Sequence, residues 1–362
     1  MSKPKRPTLL AYLNGMPDVE STYPVLARLH QRGKVDVRAI VYSKLLRKEP
    51  RLPAAFQRFG FVPDAGSKLS MKLLYQRAIR KADAVLTIAD PYHDTTTRKQ
   101  RGTYMRKIGK QSLFLQHGAY QLGVNGALVE GEMDYYSKKL LFWEPLGENR
   151  ALFAPGVTDR VSVVGFTKQN VLAPRDWGEE VTAWKNRYPR RLLICQSFRW
   201  GKGRYDADDI SHFYGLIEEI IERNPDLGII VRSHRGKVRR NHRSHDQKLT
   251  AKYDNVLLSH YYSGPLAKAT IQDTLDLCHA MVSPTSTTVL DCIYAGKPAA
   301  VFAENLEVFA ELPQIDGSDA LQAFLSQIET PGPEQAQVQD RFGKLDENLD
   351  RAAQEIEAAL SA

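Results

Sequence analysis

The stretch DTLDLCHAMVSPTSTTVLDCIYAGKPAAVF, from Asp273 to Phe302, decides the fold of the second half of the chain. Its pattern predicts a buried strand over residues 280–283, a hydroxyl-rich turn, a helix over 289–295 and another strand over 299–302. Gly296 suits the left-handed geometry with which many helices end. Alternation of strand and helix in this way indicates an α/β domain with a parallel sheet.

The turn between strand and helix carries five hydroxyl side chains, those of Ser283, Thr285, Ser286, Thr287 and Thr288. The first turn of a helix presents free backbone N–H groups, and hydroxyls beside them favour an anion, most often a phosphate. The alternative is that the hydroxyls only cap the helix. We predict phosphate contacts for Ser286, Thr287 and Thr288.

The composition is that of a globular protein, with 43% hydrophobic and 25% charged residues in 362. This length exceeds what one hydrophobic core usually covers, so two domains are expected. The chain lacks an apolar run of about eighteen residues, and its basic N-terminus leads directly into a strand pattern. We therefore expect neither a membrane span nor a signal peptide.

Three cysteines, Cys195, Cys278 and Cys292, lie inside apolar segments and form no C-x-x-C pair. This placement is typical of small buried residues in a reducing compartment, and a cytoplasmic location is expected. The formal net charge of +8 fits nucleic acid, an anionic surface or phosphorylated substrates. Because no nucleic-acid-binding module with interleaved aromatic residues occurs, we expect no nucleic-acid partner.

The first half of the chain also alternates strands and helices, and it includes an amphipathic, strongly basic helix predicted over 68–81. Ligands of an open parallel sheet bind beyond the carboxyl ends of its strands. Six candidate site residues follow predicted strands: Asn14, His93, Asp94, His117, Gly118 and Glu144. The segment Asp90 to Asp94 fits either a catalytic cluster or an ordinary Asp-Pro turn, and the sequence leaves both open.

The pattern S-x-T-S-T-T-x-x-D-x-x-x-x-G-K-P over 283–298 resembles the donor-binding segment of GT-B glycosyltransferases. It is most similar to bacterial enzymes that build capsule, lipopolysaccharide and teichoic acid, including the CDP-glycerol glycerophosphotransferases. The His117-Gly118 pair after a strand resembles the His-Gly of the same enzymes. The resemblance implies an α/β GT-B fold, in which two Rossmann-like domains with parallel sheets face an interdomain cleft.

The resemblance also implies a division of the chain. An N-terminal acceptor domain is expected over 1–170, a linker over 171–190 and a donor-binding domain over 191–335. A final helical segment, 336–362, is expected to return to the N-terminal domain.

Several donor contacts follow from the resemblance. Asp291 would bind a donor hydroxyl, often that of the ribose. The donor phosphates would be bound by four further residues that follow strands of the second domain: Arg199, Lys202, Arg232 and His234. The chain departs from its relatives at Ser233 and Arg235, where they have prolines, and this weakens assignment to one subfamily. The basic run over 239–245 is expected to be a mobile, solvated loop.

Several common catalytic motifs are absent: the P-loop, the G-x-S-x-G elbow and H-E-x-x-H. The one Asp-x-Asp, at 206–208, precedes a predicted helix, which disfavours a metal-dependent GT-A enzyme. We expect no metal and no cofactor. The substrate would be an activated donor such as a CMP-, CDP- or UDP-linked compound or phosphoribosyl pyrophosphate, with its phosphate charge met by protein donors.

The sequence thus predicts a metal-independent glycosyltransferase, or a polyol-phosphate transferase, with His117 or Asp94 as base and His93 beside it. The acceptor would be a surface glycan or a lipid-linked glycan, with Asn14, Gly118 and Glu144 on the acceptor side and a peripheral contact with the inner membrane. Three alternatives remain: phosphoribosyl transfer to a glycan, a non-hydrolysing UDP-sugar 2-epimerase, and a basic module that binds nucleic acid or a membrane surface.

Overall fold

A computed structural model describes residues 6–90, 96–121, 124, 130–196, 207–234, 237–302 and 307–361. The chain divides into two compact units. Unit 1 comprises Met1–Ala173 and Arg341–Ala362, and unit 2 comprises Pro174–Asp340. The chain passes from unit 1 to unit 2 after Ala173, whose carbonyl accepts from the Arg51 guanidinium at 3.0 Å.

Unit 1 contains a seven-stranded parallel sheet of order β3-β2-β1-β4-β5-β6-β7. Its strands are β1 (Thr8–Leu13), β2 (Asp36–Tyr42), β3 (Asp64–Gly66), β4 (Ala84–Thr87), β5 (Gln111–Leu115), β6 (Lys139–Phe142) and β7 (Val161–Val163). Its helices from the first segment are α1 (Met16–Arg32), α2 (Ser43–Lys48), α3 (Leu52–Arg58), α4 (Lys68–Leu73), α5 (Tyr75–Lys81) and α6 (Thr96–Lys107).

Unit 2 contains a six-stranded parallel sheet of order β10-β9-β8-β11-β12-β13. The strands are β8 (Arg190–Cys195), β9 (Leu227–Arg232), β10 (Val256–Ser259), β11 (Ala280–Ser283), β12 (Ala299–Phe302) and β13 (Gln314–Ile315). The helices are α7 (Glu179–Arg187), α8 (Ala207–Arg223), α9 (Lys237–Lys252), α10 (Ile271–Leu277), α11 (Thr287–Tyr294), α12 (Ser318–Leu325) and α13 (Pro333–Phe342), and α14 (Leu345–Ser361) follows in unit 1.

The two faces of β1 bury different helices. Leu9 and Leu13 point into a core shared with α1 and with Leu349 and Ile356 of α14. On the opposite face, Leu10 and Tyr12 contact the side chains that anchor α4, α5 and α6, which include Met71, Ile79 and Met105. Because successive side chains of a strand point to opposite faces, helices pack on both faces of the sheet of unit 1.

One asparagine joins the places where unit 1 ends and resumes. The buried Asn348 amide donates to the carbonyls of Phe166 (3.0 Å) and Phe342 (2.7 Å). Gly165 and Gly343 adopt φ of +81° and +75°, and a Cβ on either would overlap the Asn348 side chain. The sequence pattern predicts one helix over 341–360, but the left-handed Gly343 divides it into α13 and α14.

The prediction of α/β architecture with parallel sheets is confirmed, while three local predictions are wrong. The sequence pattern predicts a loop over 14–17, but α1 begins at Met16 with Pro17 in its first turn. The predicted helix over 68–81 is two helices that meet at Leu74. The basic run over 239–245 is no solvated loop, because it forms part of α9 and buries His242.

Candidate functional site

The carboxyl ends of four strands meet at one edge of the sheet in unit 2. Strand register pairs Arg232 of β9 with Cys195 of β8 on one side and with Ser259 of β10 on the other. Ser283 ends β11, the other neighbour of β8. This is the edge at which open α/β sheets bind ligands.

The N-terminus of α11 lies at this edge and carries the predicted hydroxyls. Ser286 is its N-cap, and its hydroxyl accepts from the Thr288 N–H at 3.4 Å. The Thr288 hydroxyl lies 3.3 Å from that of Ser283, which is fully buried. Ser286, Thr287 and Thr288 are all partly exposed. The hydroxyls therefore cap the helix and still reach solvent.

Arg232 is held beside this helix end. Its guanidinium donates to the Ser259 hydroxyl (2.9 Å) and to the Ala269 carbonyl (3.0 Å). Burial raises the pKa of Cys195 to about 11, while the charge of Arg232 and the hydroxyls of Thr288 and Ser283 act in the opposite direction. Because Arg232, Thr288 and Asp291 all act on this one thiol, they share a neighbourhood.

Asp291 and His234 border the same edge and are partly exposed. Asp291 lies one turn after Thr287, so the two side chains share a face of α11. The His234 carbonyl accepts from the Arg239 guanidinium at 3.3 Å. A carboxylate next to an electropositive helix end suits a ligand that has both phosphates and hydroxyl groups.

A buried polar network lies behind this edge. The Gln196 amide donates to the Tyr214 hydroxyl (2.7 Å) and to Asp246 (2.6 Å), and Tyr214 donates to Asp246 at 2.6 Å. The Tyr214 hydroxyl also lies 3.0 Å from Nδ1 of His242. Burial raises the pKa of Asp246 to about 6 and lowers that of His242 to about 4.

This network fixes α8 and α9 to the end of β8, where the segment 197–206 begins. The sequence pattern does not predict this network, because α9 is strongly basic and resembles a solvated segment. A signal was present, since His242 and Asp246 are four residues apart and so lie on one face of a helix.

In unit 1, β5 leads into Gln116 and His117. The Gln116 side chain donates to the Gly118 carbonyl (2.8 Å) and accepts from the Trp143 N–H (2.8 Å), which fixes this corner of the sheet. His117 is half-buried, and its backbone N–H donates to the Gln121 side chain at 3.0 Å. The backbone that carries His117 is thus held by hydrogen bonds.

A small cavity in unit 1 lies beyond β1 and includes Asn14 in its lining. The Asn14 side chain accepts from Arg101 (3.2 Å), whose guanidinium lies 4.0 Å from the centre of the Tyr12 ring. Asp18 accepts from the Asn14 N–H at 2.9 Å. Asn14 therefore orients a buried cation at this edge.

Two carboxylates of unit 1 have structural partners. Asp90 is fully buried and accepts from the Tyr136 N–H, the Ser137 N–H and the Ser137 hydroxyl. Glu144 lies 3.8 Å from the guanidinium of Arg341. Four predicted site residues lie outside the described part of the chain: His93, Asp94, Arg199 and Lys202.

The described residues hold no group of three or more His, Cys, Asp or Glu side chains arranged for a metal ion. Within the same residues, none of the helices is long and apolar enough to cross a bilayer. All three cysteines are buried, and none of them forms a disulfide.

No protein-family model matches the chain, and no curated protein matches it. Several solved structures have a fold similar to that of this chain. A putative UDP-N-acetylglucosamine 2-epimerase from Listeria monocytogenes has a TM-score of 0.66 at 14% identity, covering 98% of this chain and 97% of that one. MnaA of S. aureus in complex with UDP has a TM-score of 0.64 at 12% identity, with coverages of 98% and 97%.

A glycosyltransferase from Rickettsia africae has a TM-score of 0.55 at 12% identity and is covered over 99% of both chains. At such identities the similarity concerns the fold. Both epimerases and glycosyltransferases are thus structural neighbours of this chain. Its two Rossmann-like α/β units with parallel sheets have the GT-B fold.

Proposed function

We propose that this chain is an enzyme that acts on a sugar linked to a nucleoside diphosphate, of the UDP-linked kind. The observation that carries the proposal is the partly exposed hydroxyl cluster at the N-terminus of α11, with Arg232 close by. Free helix N–H groups and a guanidinium both donate hydrogen bonds to phosphate.

Each part of such a ligand has a counterpart in unit 2. The diphosphate would accept from the α11 N-terminus, from Ser286 and Thr288, and from Arg232. Asp291, on the Thr287 face of α11, would accept from a hydroxyl of the ribose. Arg232 is already oriented by Ser259 and Ala269, so little side-chain entropy would be lost on binding.

Two reactions suit this donor site. Several similar structures carry the names of UDP-N-acetylglucosamine 2-epimerases, which favours 2-epimerisation of a UDP-sugar. That reaction inverts one carbon and needs groups that remove and return its proton. We place it first.

Glycosyl transfer is the second candidate, and the position of His117 favours it. A half-buried imidazole on a backbone held by hydrogen bonds can take the proton of an acceptor hydroxyl. A surface glycan as acceptor, and phosphoribosyl pyrophosphate as a different donor, belong to this second proposal.

Ligand binding is the first test. Thermal unfolding is followed with UDP, CDP, CMP and phosphoribosyl pyrophosphate, because a ligand of the folded state at about 100 times its Kd stabilises by about 2.7 kcal/mol. We expect the largest shift with UDP. If none of the four raises the melting temperature, the donor proposal is wrong.

The reaction is then identified without any acceptor. UDP-N-acetylglucosamine is incubated with the protein in heavy water, and the nucleotide sugars are separated and analysed by NMR. Deuterium at C2 together with the 2-epimer identifies an epimerase. Unchanged substrate that releases UDP only after a glycan acceptor is added identifies a transferase.

A further inference from the structure

Three leucines of α4 and its C-terminus are exposed together. Leu69, Leu73 and Leu74 are 66%, 61% and 58% exposed. Within the described part of the chain six large hydrophobic side chains are exposed, and half of them lie in this stretch of six residues. Globular proteins seldom expose such clusters without a partner.

The helices beneath the leucines are firmly placed. Met71 and Ile79 are buried against Leu10 and Val85 on one face of the sheet. Ser67 caps α4 by accepting from the Ser70 N–H at 3.0 Å. Since Leu69 and Leu73 are four residues apart, they share a face, and the burial of Met71 directs that face outward.

The segment that carries the leucines is strongly basic. Residues 67–82 contain five exposed basic side chains and no acidic residue; the basic ones are Lys68, Lys72, Arg77, Arg80 and Lys81. Among the residues that the structure describes, none of these five forms an ion pair, and Arg80 lies 5.7 Å from the Tyr104 ring. Apolar side chains close in sequence to cations that form no ion pair are complementary to an anionic lipid surface.

We propose that α4 and α5 bind unit 1 to the surface of an anionic bilayer, with Leu69, Leu73 and Leu74 inserted among the acyl chains. Lys68, Lys72 and Arg77 contact lipid headgroups. A protein partner would more often present a mixed polar rim, and a nucleic acid would gain nothing from three exposed leucines. The proposal is independent of the reaction that the enzyme performs.

The test is flotation of the full chain with vesicles of phosphatidylcholine alone or mixed with phosphatidylglycerol. We expect binding to the mixed vesicles only. Each cation contributes roughly a fivefold increase in partitioning, so Lys68→Gln/Lys72→Gln/Arg77→Gln should lower it roughly a hundredfold. Replacing the three leucines by serine should lower it by roughly a hundredfold or more.

Matched controls come from the same unit. Lys44→Gln/Arg47→Gln/Lys48→Gln removes the same charge from exposed positions of α2, and Val163→Ser removes an exposed apolar side chain elsewhere. Both should retain most of the binding. All variants change exposed residues, and an unchanged melting temperature confirms folding.

Three results would overturn the proposal. One is the absence of wild-type binding to the mixed vesicles, and another is equal loss in the α2 control. The third is self-association in solution that disappears in the leucine variant, because the leucines would then form a contact between copies of the chain.

Discussion

Each unit has a buried aspartate behind its sheet edge, and the two aspartates accept hydrogen bonds from different kinds of group. Asp90 of unit 1 uses both of its oxygens for two backbone N–H groups and a hydroxyl. Asp246 of unit 2 accepts from two side chains, Gln196 and Tyr214, and both contacts are made by Oδ1. A carboxylate that accepts from backbone N–H groups is a fixed part of the fold, whereas the partners of Asp246 are side chains that can be exchanged.

The edges themselves follow the same contrast. In unit 1, Asp90, Gln116 and Glu144 are engaged in holding strands and segments together. In unit 2, hydrogen bonds within the protein orient the α11 hydroxyls and Arg232, and these side chains remain partly exposed to solvent. We infer that unit 2 is prepared for a phosphate-bearing ligand, while the carboxylates described in unit 1 mainly stabilise its sheet.

The largest expected effect separates the two aspartates directly. Asp90→Asn places an amide N–H₂ where a carboxylate oxygen now accepts, so buried donors lose their acceptor and the free energy of unfolding should fall by about 4 kcal/mol. Asp246→Asn keeps an oxygen for Gln196 and Tyr214 and removes a buried charge, so at pH 8 it should not lower the free energy of unfolding. Urea unfolding measures both, and equal losses would remove the contrast.

The next effect uses pH. The folded pKa of Asp246, about 6, exceeds its ordinary 3.8, so acidification through this range adds a proton to the folded state and stabilises it by up to about 3 kcal/mol. The folded pKa of His242, about 4, is below its ordinary 6.5, so the same acidification protonates the unfolded chain and destabilises by up to about 3 kcal/mol.

In the wild type these two contributions oppose each other. Asp246→Asn should leave a protein that loses stability as the pH falls from about 6.5 to 4, and His242→Gln one that gains stability over the same range. The slopes come from urea unfolding at a series of pH values. Parallel slopes in the two variants would show that the network does not titrate in this way.

A smaller effect tests the edge of unit 2. Arg232→Gln should weaken UDP binding by about 2 kcal/mol, or roughly thirtyfold, because a charged hydrogen bond to phosphate is lost. Arg190→Gln is the control, since Arg190 also donates to a carbonyl, that of Leu325, but at the amino end of β8. Calorimetric titration with UDP should distinguish them, and an equal loss in both would contradict the phosphate role.

The smallest effect separates capping from ligand binding. Ser286 and Ser67 are the N-caps of α11 and α4, and each hydroxyl accepts from a backbone N–H of the first turn, so replacing either by Ala should lower the free energy of unfolding by about 1 kcal/mol. Only Ser286→Ala should also weaken UDP binding, by about 1 kcal/mol. If both variants bind UDP like the wild type, the hydroxyl serves the helix alone.

The sequence predicts the sheets well because buried strands such as 280–283 and 299–302 are short apolar runs with turn residues around them. It predicts the Ser286 turn because capping and anion binding depend on local residue types. It misses α9, since the burial of His242 and Asp246 depends on Tyr214 and Gln196, which are distant in the chain. It leaves Asp90 undecided for the same reason, because Ser137 is 47 residues away.

The Asn348 amide has a consequence for the history of the chain. By joining Phe166 to Phe342, it brings together the two ends of unit 1 between which all of unit 2 is inserted. Such a junction allows the whole of unit 2 to be exchanged without disturbing the host sheet, since only one short gap has to be closed.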